Sequence, residues 1–223
     1  MKKLIICSGG IDSVAMAIIE SLENDIELIN FNYGQKASKE IEICEKVAKM
    51  LFCKLTKIDL STMNQIFGKN QLTSDIVDVE NCYEQSVVVP LRNALFCQIS
   101  MIYASTNNFD EIVLGSHLND IQIKDGEMMY PDSSPDFFKA FEIASALGKF
   151  KSDKLVKVVS ASILGMTKKD IIKKANEIRP DILPITWSCY LSKEKQCGIC
   201  EACINRKKAF EVAGIQDLTE YEQ

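Results

Sequence analysis

The chain has 223 residues, 47% of them hydrophobic and 26% charged, a balance that suits one globular domain with a full core and excludes a largely disordered or fibrous protein. A net charge of −5 and a pI near 5.1 speak against a general basic face for nucleic acid and leave room only for a local basic pocket. The apolar run Leu4-Ile5-Ile6-Cys7 stops at Ser8-Gly9-Gly10, too short for a signal peptide or a span, so a cytoplasmic protein with no membrane segment is expected.

Residues 3–7 read as a short buried strand. Val14, Ala17, Ile18 and Leu22 have helical spacing across Ser13–Leu22, and Ile26–Phe31 reads as a second strand. Ser38 is a candidate N-cap for a helix with an apolar side at Ile41, Ala48, Met50 and Leu51. Leu55–Leu60 is a third strand. This β-α-β-α-β rhythm predicts a doubly wound parallel α/β sheet. Residues 61–86 are polar and read as a long excursion. A helix is expected over Asn93–Tyr103, a strand over Glu111–Gly115, an irregular loop over 116–134 and a helix over Asp136–Leu147. A strand at Val156–Ser160 follows, then a helix capped by Thr167 and running to Glu177, and a last helix reaching Phe210. The expected division is an α/β domain at 1–180 and a C-terminal cysteine segment at 181–223 packed on it.

Between the first strand and first helix stands Cys7-Ser8-Gly9-Gly10-Ile11-Asp12-Ser13-Val14. Two glycines let the backbone turn tightly and aim several N–H groups into one concavity, and the helix N-terminus adds partial positive charge. Ser8 and Ser13 add hydroxyls. A phosphate or pyrophosphate cradle results. It is neither a Walker loop, lacking Gly-Lys-Ser/Thr, nor a dinucleotide fingerprint, lacking the third glycine. Asp12 in an anion site calls for a helix cap or a bound cation such as Mg2+.

Nine cysteines, an odd number, argue against a disulfide framework. Cys189, Cys197, Cys200 and Cys203 crowd into fifteen residues, and short C-x2-C steps let their thiolates converge on one ion, with Gly198 easing the turn. A closed structural Zn2+ site is expected, which would pin Trp187 and Arg206 over the sheet; an iron–sulfur cluster is the competing occupant. Cys7 reads as a small core residue rather than a nucleophile. The single histidine, His117, excludes a His-rich metal site.

Ser-Gly-Gly-x-Asp-Ser after the first strand resembles the loop of the N-type ATP pyrophosphatases, a Rossmann-like fold of the adenine nucleotide alpha hydrolase type. Within that group the motifs resemble the 7-cyano-7-deazaguanine synthases over nearly the whole length. They are Tyr33-Gly34-Gln35 followed by Glu40, Val89-Pro90-Leu91-Arg92-Asn93, Tyr130-Pro131-Asp132 with Pro135-Asp136-Phe137, Thr167-Lys168-Lys169-Asp170, and Thr186-Trp187-Ser188-Cys189-Tyr190 with the later cysteines.

The resemblance implies ATP with Mg2+, 7-carboxy-7-deazaguanine or a related carboxylate, ammonia, and a homodimer. One ATP would give an acyl-adenylate and then an amide, and a second would turn the amide into a nitrile. It implies catalytic roles for Asp12, Arg92 and Lys168. ATP contacts would come from Ser8, Gly9, Gly10, Ile11, Asp12, Ser13, Val14, Tyr33 and Gln35, and substrate contacts from Arg92, Asn93, Tyr130 and Asp132; His117 is a further candidate for substrate contact on its own place at the sheet edge after the fourth strand. Residues 116–129 depart from the family pattern, and Ser133 and Ser134 replace its Cys and Arg, so a divergent ligase that stops at the amide or takes another carboxylate or amine stays open. Two further readings are a tRNA sulfur-transfer enzyme, which would want a basic face, and a nucleotide-binding module without turnover.

Overall fold

The computed structural model describes residues 1–74 and 76–222. Five parallel strands, β1 (Lys2–Ile6), β2 (Asp25–Asn32), β3 (Lys54–Asp59), β4 (Glu111–Leu114) and β7 (Lys157–Ser160), form one sheet in the order β3-β2-β1-β4-β7. β5 (Ile123–Lys124) and β6 (Glu127–Met128) form a separate antiparallel hairpin. The chain builds outward from β1 in one direction and then returns to add β4 on the other side. Neighbouring strands β1 and β4 thus diverge in their onward connections, and a crevice opens at their carboxyl ends.

Crossover chirality places the helices on both faces. On one face α1 (Ile11–Ser21), α2 (Lys39–Met50), α5 (Lys168–Ile178) and α6 (Glu201–Ala213) bury Val14, Ile18, Val47, Ile171 and Phe210 around Leu28 and Val113. The four cysteines of the C-terminal segment belong to this same core. On the other face α3 (Arg92–Thr106) and α4 (Pro135–Leu147) bury Phe96, Cys97, Met101 and Phe138 against Phe31 and Ile112. β1, β2 and β4 are almost wholly buried, as continuous apolar runs in a doubly covered parallel sheet require. The stretch Gln85–Thr106 is long and apolar enough on composition to cross a membrane. It is broken by Leu91 at φ 54°, and its α3 part buries Phe96 and Met101 in the sheet core.

The predicted elements fall close to the observed ones, with three local differences. Ser38 does stand before α2, but its hydroxyl makes no cap and donates instead to Ser192 Oγ at 3.1 Å. The 116–134 segment contains the β5–β6 hairpin and a 3-10 turn at Pro131–Ser133. The 61–86 excursion, of which Asp75 lies outside the described residues, holds a 3-10 stretch at Ser61–Ile66 and enters another at Gln85–Val87. Thr167 caps α5 through a full capping box, accepting from Asp170 N while Asp170 accepts from Thr167 N.

Where β4 ends, Gly115 lets it meet the first turn of α1. A Cβ there would lie 2.6 Å from the Ser13 nitrogen and 2.7 Å from the Asp12 carbonyl carbon, both backbone atoms. Gly115→Ala must therefore push β4 and α1 apart at the crevice. Overpacking of this kind costs about 1–3 kcal/mol. Scanning calorimetry is expected to show Tm lower by roughly 3–10 °C, and an unchanged Tm would contradict the close approach.

Candidate functional site

The crevice holds a cleft of about 640 Å3 lined by the loop after β1, the ends of β2 and β4, the start of α3, the β5–β6 region and the C-terminal segment. The loop is shaped by contacts that only glycine permits. Gly9 adopts φ +91°, and a Cβ on it would sit 2.2 Å from the Glu40 carbonyl oxygen. Ser8 N donates to Ser13 Oγ at 3.1 Å, Gly10 N donates to Ser8 Oγ at 3.1 Å, and Ser13 Oγ donates to Gly10 O at 3.0 Å. Gly10 is the N-cap of α1 and brings no side chain to cap it. The first-turn amides of Ile11, Asp12 and Ser13 therefore face the cleft end of the helix with its partial positive charge, while Val14 N already bonds Gly10 O. Ile11 and Val14 themselves are buried, so their side chains anchor the loop and only their backbone is offered to a ligand.

Asp12 does not cap its helix. Lys168 Nζ donates to its Oδ2 at 2.9 Å, and His117 Nε2 lies 3.4 Å from its Oδ1. Asp120 completes the group, its Oδ2 accepting from His117 N at 2.9 Å and lying 3.3 Å from His117 Nδ1. Asn119 Oδ1 accepts from Lys168 N at 2.9 Å and fixes the start of α5 over the cleft. Burial opposes ionisation of Asp12, but Lys168 and then His117 outweigh it and hold the carboxyl well below the usual range. For His117 burial favours the neutral ring, and Asp120 and Asp12 override it to raise the imidazole above its ordinary value. Asp120 goes up, first through burial and also through Asp12, despite the pull of His117. Asp12 Oδ1 and His117 Nδ1 are sealed from solvent with no hydrogen-bond partner. An unfilled carboxylate oxygen beside a phosphate cradle fits Mg2+, which takes one or two carboxylates plus substrate phosphates.

On the other flank Arg92 Nη1 donates to Tyr33 Oη at 3.1 Å. Arg92 opens α3, so its guanidinium enters the cleft as a fixed cation whose pKa stands above the ordinary arginine value: burial works against the charge, but Tyr33 and Asp132 overcome it. Phe31 and Phe96 stack at 4.5 Å between ring centres and make an apolar wall behind it. Asn93 and Asp132 also line the cleft, yet both are engaged with one another. Asp132 Oδ2 accepts from Asn93 N at 3.0 Å, and Asn93 Nδ2 donates to Asp132 O and Ser133 Oγ. Gln35 is turned back into the end of β2, accepting from Tyr33 N at 2.9 Å and donating to Phe31 O, so it shapes the turn that presents Tyr33. Tyr130 meets Tyr83 edge to face at 5.5 Å under the hairpin, where Tyr83 Oη donates to Met129 O at 2.6 Å. Ser134 caps α4 by accepting from Phe137 N. Cys7 is buried behind the loop, 3.4 Å from the Cys44 sulfur.

The four C-terminal cysteines are buried, with their sulfurs all within 4.8 Å of one another. Cys197 and Cys203 are 3.9 Å apart; a tetrahedral zinc–thiolate site with bonds of about 2.3 Å has edges of roughly 3.8 Å. The amides of Leu191 and Cys197 donate to Cys189 Sγ, and Cys200 N donates to Cys197 Sγ, so the sulfurs are already placed as acceptors. Hydrogen bonds from Cys200 and Cys203 press the Cys189 thiol toward the thiolate. The cluster can hold a metal ion. Fully buried Arg206 ties the segment down, donating to Thr186, Ser188, Leu183 O and Asp217. Trp187 N then donates to Gly9 O at 3.0 Å, which joins the cysteine segment to the glycine loop.

Sequence reasoning missed several residues of the cleft. Asp120 sits three positions after His117 in a stretch with no periodicity, and only its i,i+3 spacing hinted at pairing. Glu40 was visible as a helix residue after Tyr-Gly-Gln, with nothing to show that it turns toward the loop. Tyr190 and Glu201, joined by a 2.7 Å hydrogen bond, close the far end of the cleft from the cysteine segment.

A family model described as "Queuosine biosynthesis protein QueC" matches residues 2–214. The 7-cyano-7-deazaguanine synthase of Methanosphaera stadtmanae is 32% identical over 234 residues, covering 100% of this chain and 99% of that protein. That of Brucella ovis is 34% identical over 229 residues, covering 100% and 94%. Among solved structures, the U34-tRNA thiolase NcsA from Methanococcus maripaludis with its 4Fe-4S cluster gives a TM-score of 0.48 at 14% identity, over 96% of this chain and 67% of that one. Matched from residue 2 to residue 214, the chain belongs to the family of the queuosine biosynthesis protein QueC.

Proposed function

We propose that this protein is an ATP-dependent carbon–nitrogen ligase that converts 7-carboxy-7-deazaguanine and ammonia to 7-cyano-7-deazaguanine. The carrying observation is the meeting of the glycine loop, the Asp12–Lys168–His117 group and Arg92 around one cleft at the β1–β4 crevice. Attack of a carboxylate on the α-phosphate of ATP expels pyrophosphate. The loop amides and the Ser8 hydroxyl receive that departing charge, Ser13 holds the loop in shape through Gly10 O and Ser8 N, and Lys168 stands by as a fixed cation. Arg92 neutralises oxygens on the acyl-phosphate side. Mg2+ held by Asp12 would supply further charge neutralisation at the triphosphate. The Phe31–Phe96 wall gives the reacting atoms an apolar flank that keeps water from the mixed anhydride. Tyr130, which lines the cleft and is braced by Tyr83, offers an aromatic side chain to a planar base. Nitrile formation repeats the same activation on the amide oxygen.

The test is incubation with 7-carboxy-7-deazaguanine, ammonium and Mg-ATP, followed by mass spectrometry. A nitrile is expected, with two pyrophosphates released per product. Amide alone would restrict the protein to the first half of the sequence, and neither product would remove the reading.

A further inference from the structure

Glu40 puts a carboxylate where an anion-binding cleft has no use for one. It lies in the first turn of α2, and its backbone carbonyl packs against Gly9. Its Oε1 lies 3.6 Å from the position a Cβ on Gly10 would take. The Trp187 carbonyl oxygen lies 3.6 Å from that same point and Ser8 Oγ 3.1 Å. Three oxygens from three separate segments thus converge above Gly10, and its missing side chain leaves the approach between them open to a small ligand. Gly10 itself has φ −72°, so no backbone strain explains the missing side chain there.

Among the described residues the Glu40 carboxylate accepts no hydrogen bond and forms no ion pair. The groups that face it are Arg92 from α3, Tyr33 just past β2, Cys7 just past β1 and Cys44 on its own helix. No second carboxylate is among them; those of Asp12 and Asp120 gather around His117. Burial, with help from Cys7 and against Arg92, pushes the Glu40 carboxyl up to about 8. The trio around Gly10 is one carboxylate, one carbonyl and one hydroxyl, reaching the same point from three segments. It suits a small cation with tetrahedral N–H donors.

We infer that the spot over Gly10 is an ammonium site in which Glu40 is a catalytic base, with the Trp187 carbonyl and Ser8 hydroxyl as the other acceptors. The inference rests on the ammonia-consuming reading above. Glu40 takes one proton from NH4+, leaving NH3 beside the phosphate loop. The nitrogen lone pair attacks the acyl carbon of the adenylate, the bond from that carbon to the AMP oxygen breaks, and AMP departs with the electron pair. The adduct nitrogen loses its surplus proton to the departing phosphate and then to water. Glu40 returns its own proton to water through the open cleft.

The test compares ammonium with hydroxylamine, which is already neutral at pH 7 and needs no proton removed before attack. Glu40→Gln is expected to lower kcat/KM for ammonium by about a hundredfold or more, the scale of general base catalysis, with a much smaller change for hydroxylamine. The deficit with ammonium should shrink as pH rises and free ammonia accumulates. Equal loss with both amines, or no loss with either, would overturn the site while leaving the ligase reading intact. A wild-type protein that uses neither amine would remove the ligase reading and this site with it. If the Gln variant does not fold, Glu40→Asp, which keeps the charge but draws the oxygens back, should show the same selective deficit, and its absence overturns the proposal equally.

Discussion

Asp12→Asn is expected to cut pyrophosphate release by about a hundred- to a thousand-fold, the loss seen when one preorganised charge-stabilising group is removed from a site. The amide keeps the shape of the side chain and removes its charge. Lys168 Nζ loses the anion it meets at 2.9 Å, and the His117 imidazole loses one of its two carboxylates. The oxygen that would meet a divalent cation becomes a neutral and weaker ligand. Because the Asp12 carboxyl is held well below the ordinary range, its ion pair is present above the unfolded carboxylate pKa and is lost only as pH falls through the depressed folded value. Mild acid therefore cannot imitate the substitution, and any acid limb in the rate near pH 5–6 belongs to another group. The measurement is coupled-enzyme detection of pyrophosphate, with thermal melting to show that the fold persists. Undiminished release would remove the loop and its cation group as the place where ATP is cleaved.

The parts legible in the sequence were those whose chemistry is local. Ser8-Gly9-Gly10-Ile11-Asp12-Ser13 is contiguous, and its glycines announce a turn before a helix. Thr167 and Asp170, three apart, write their own capping box. The cysteines declare a cluster by spacing alone. What could not be read was orientation decided by distant residues. Ser38 stands in the N-cap position yet bonds Ser192, 154 residues later in the chain. Gln35 has the right residue type for a ligand contact but spends both ends of its amide on the backbone around it. Asp132 likewise serves the amide of Asn93. Trp187 enters the site only because the C-terminal segment folds back over the loop, and Glu40 because the first turn of α2 packs against Gly9, and no periodicity in either stretch records those contacts. The β5–β6 hairpin has two residues in each strand, too few for an alternation to register.

Metal analysis should find one zinc per chain, and Cys203→Ser should cost on the order of 4 kcal/mol or more, the range reserved for loss of a structural metal or a buried network. Coordination energies of that kind are comparable with the whole stability of a domain of this size, and here the cluster sits in the same apolar core as α1 and α5. Freed from the metal, the turn from Trp187 to Cys200 loses the reason for its shape. Arg206, fully buried, would then keep its charge while the hydroxyls and carbonyls of Leu183, Thr186 and Ser188 drift from it. A buried guanidinium stripped of all its partners but Asp217 is costly, so the C-terminal segment should detach as a unit. The effect would reach the glycine loop through the bond from Trp187 N to Gly9 O. Nucleotide affinity is therefore expected to fall together with Tm, although none of these four cysteines lines the cleft. Calorimetry and nucleotide titration of the purified variant would check both. Wild-type affinity in a destabilised variant would show that the phosphate loop holds its form without the cysteine segment, and bound iron in place of zinc would overturn the metal assignment.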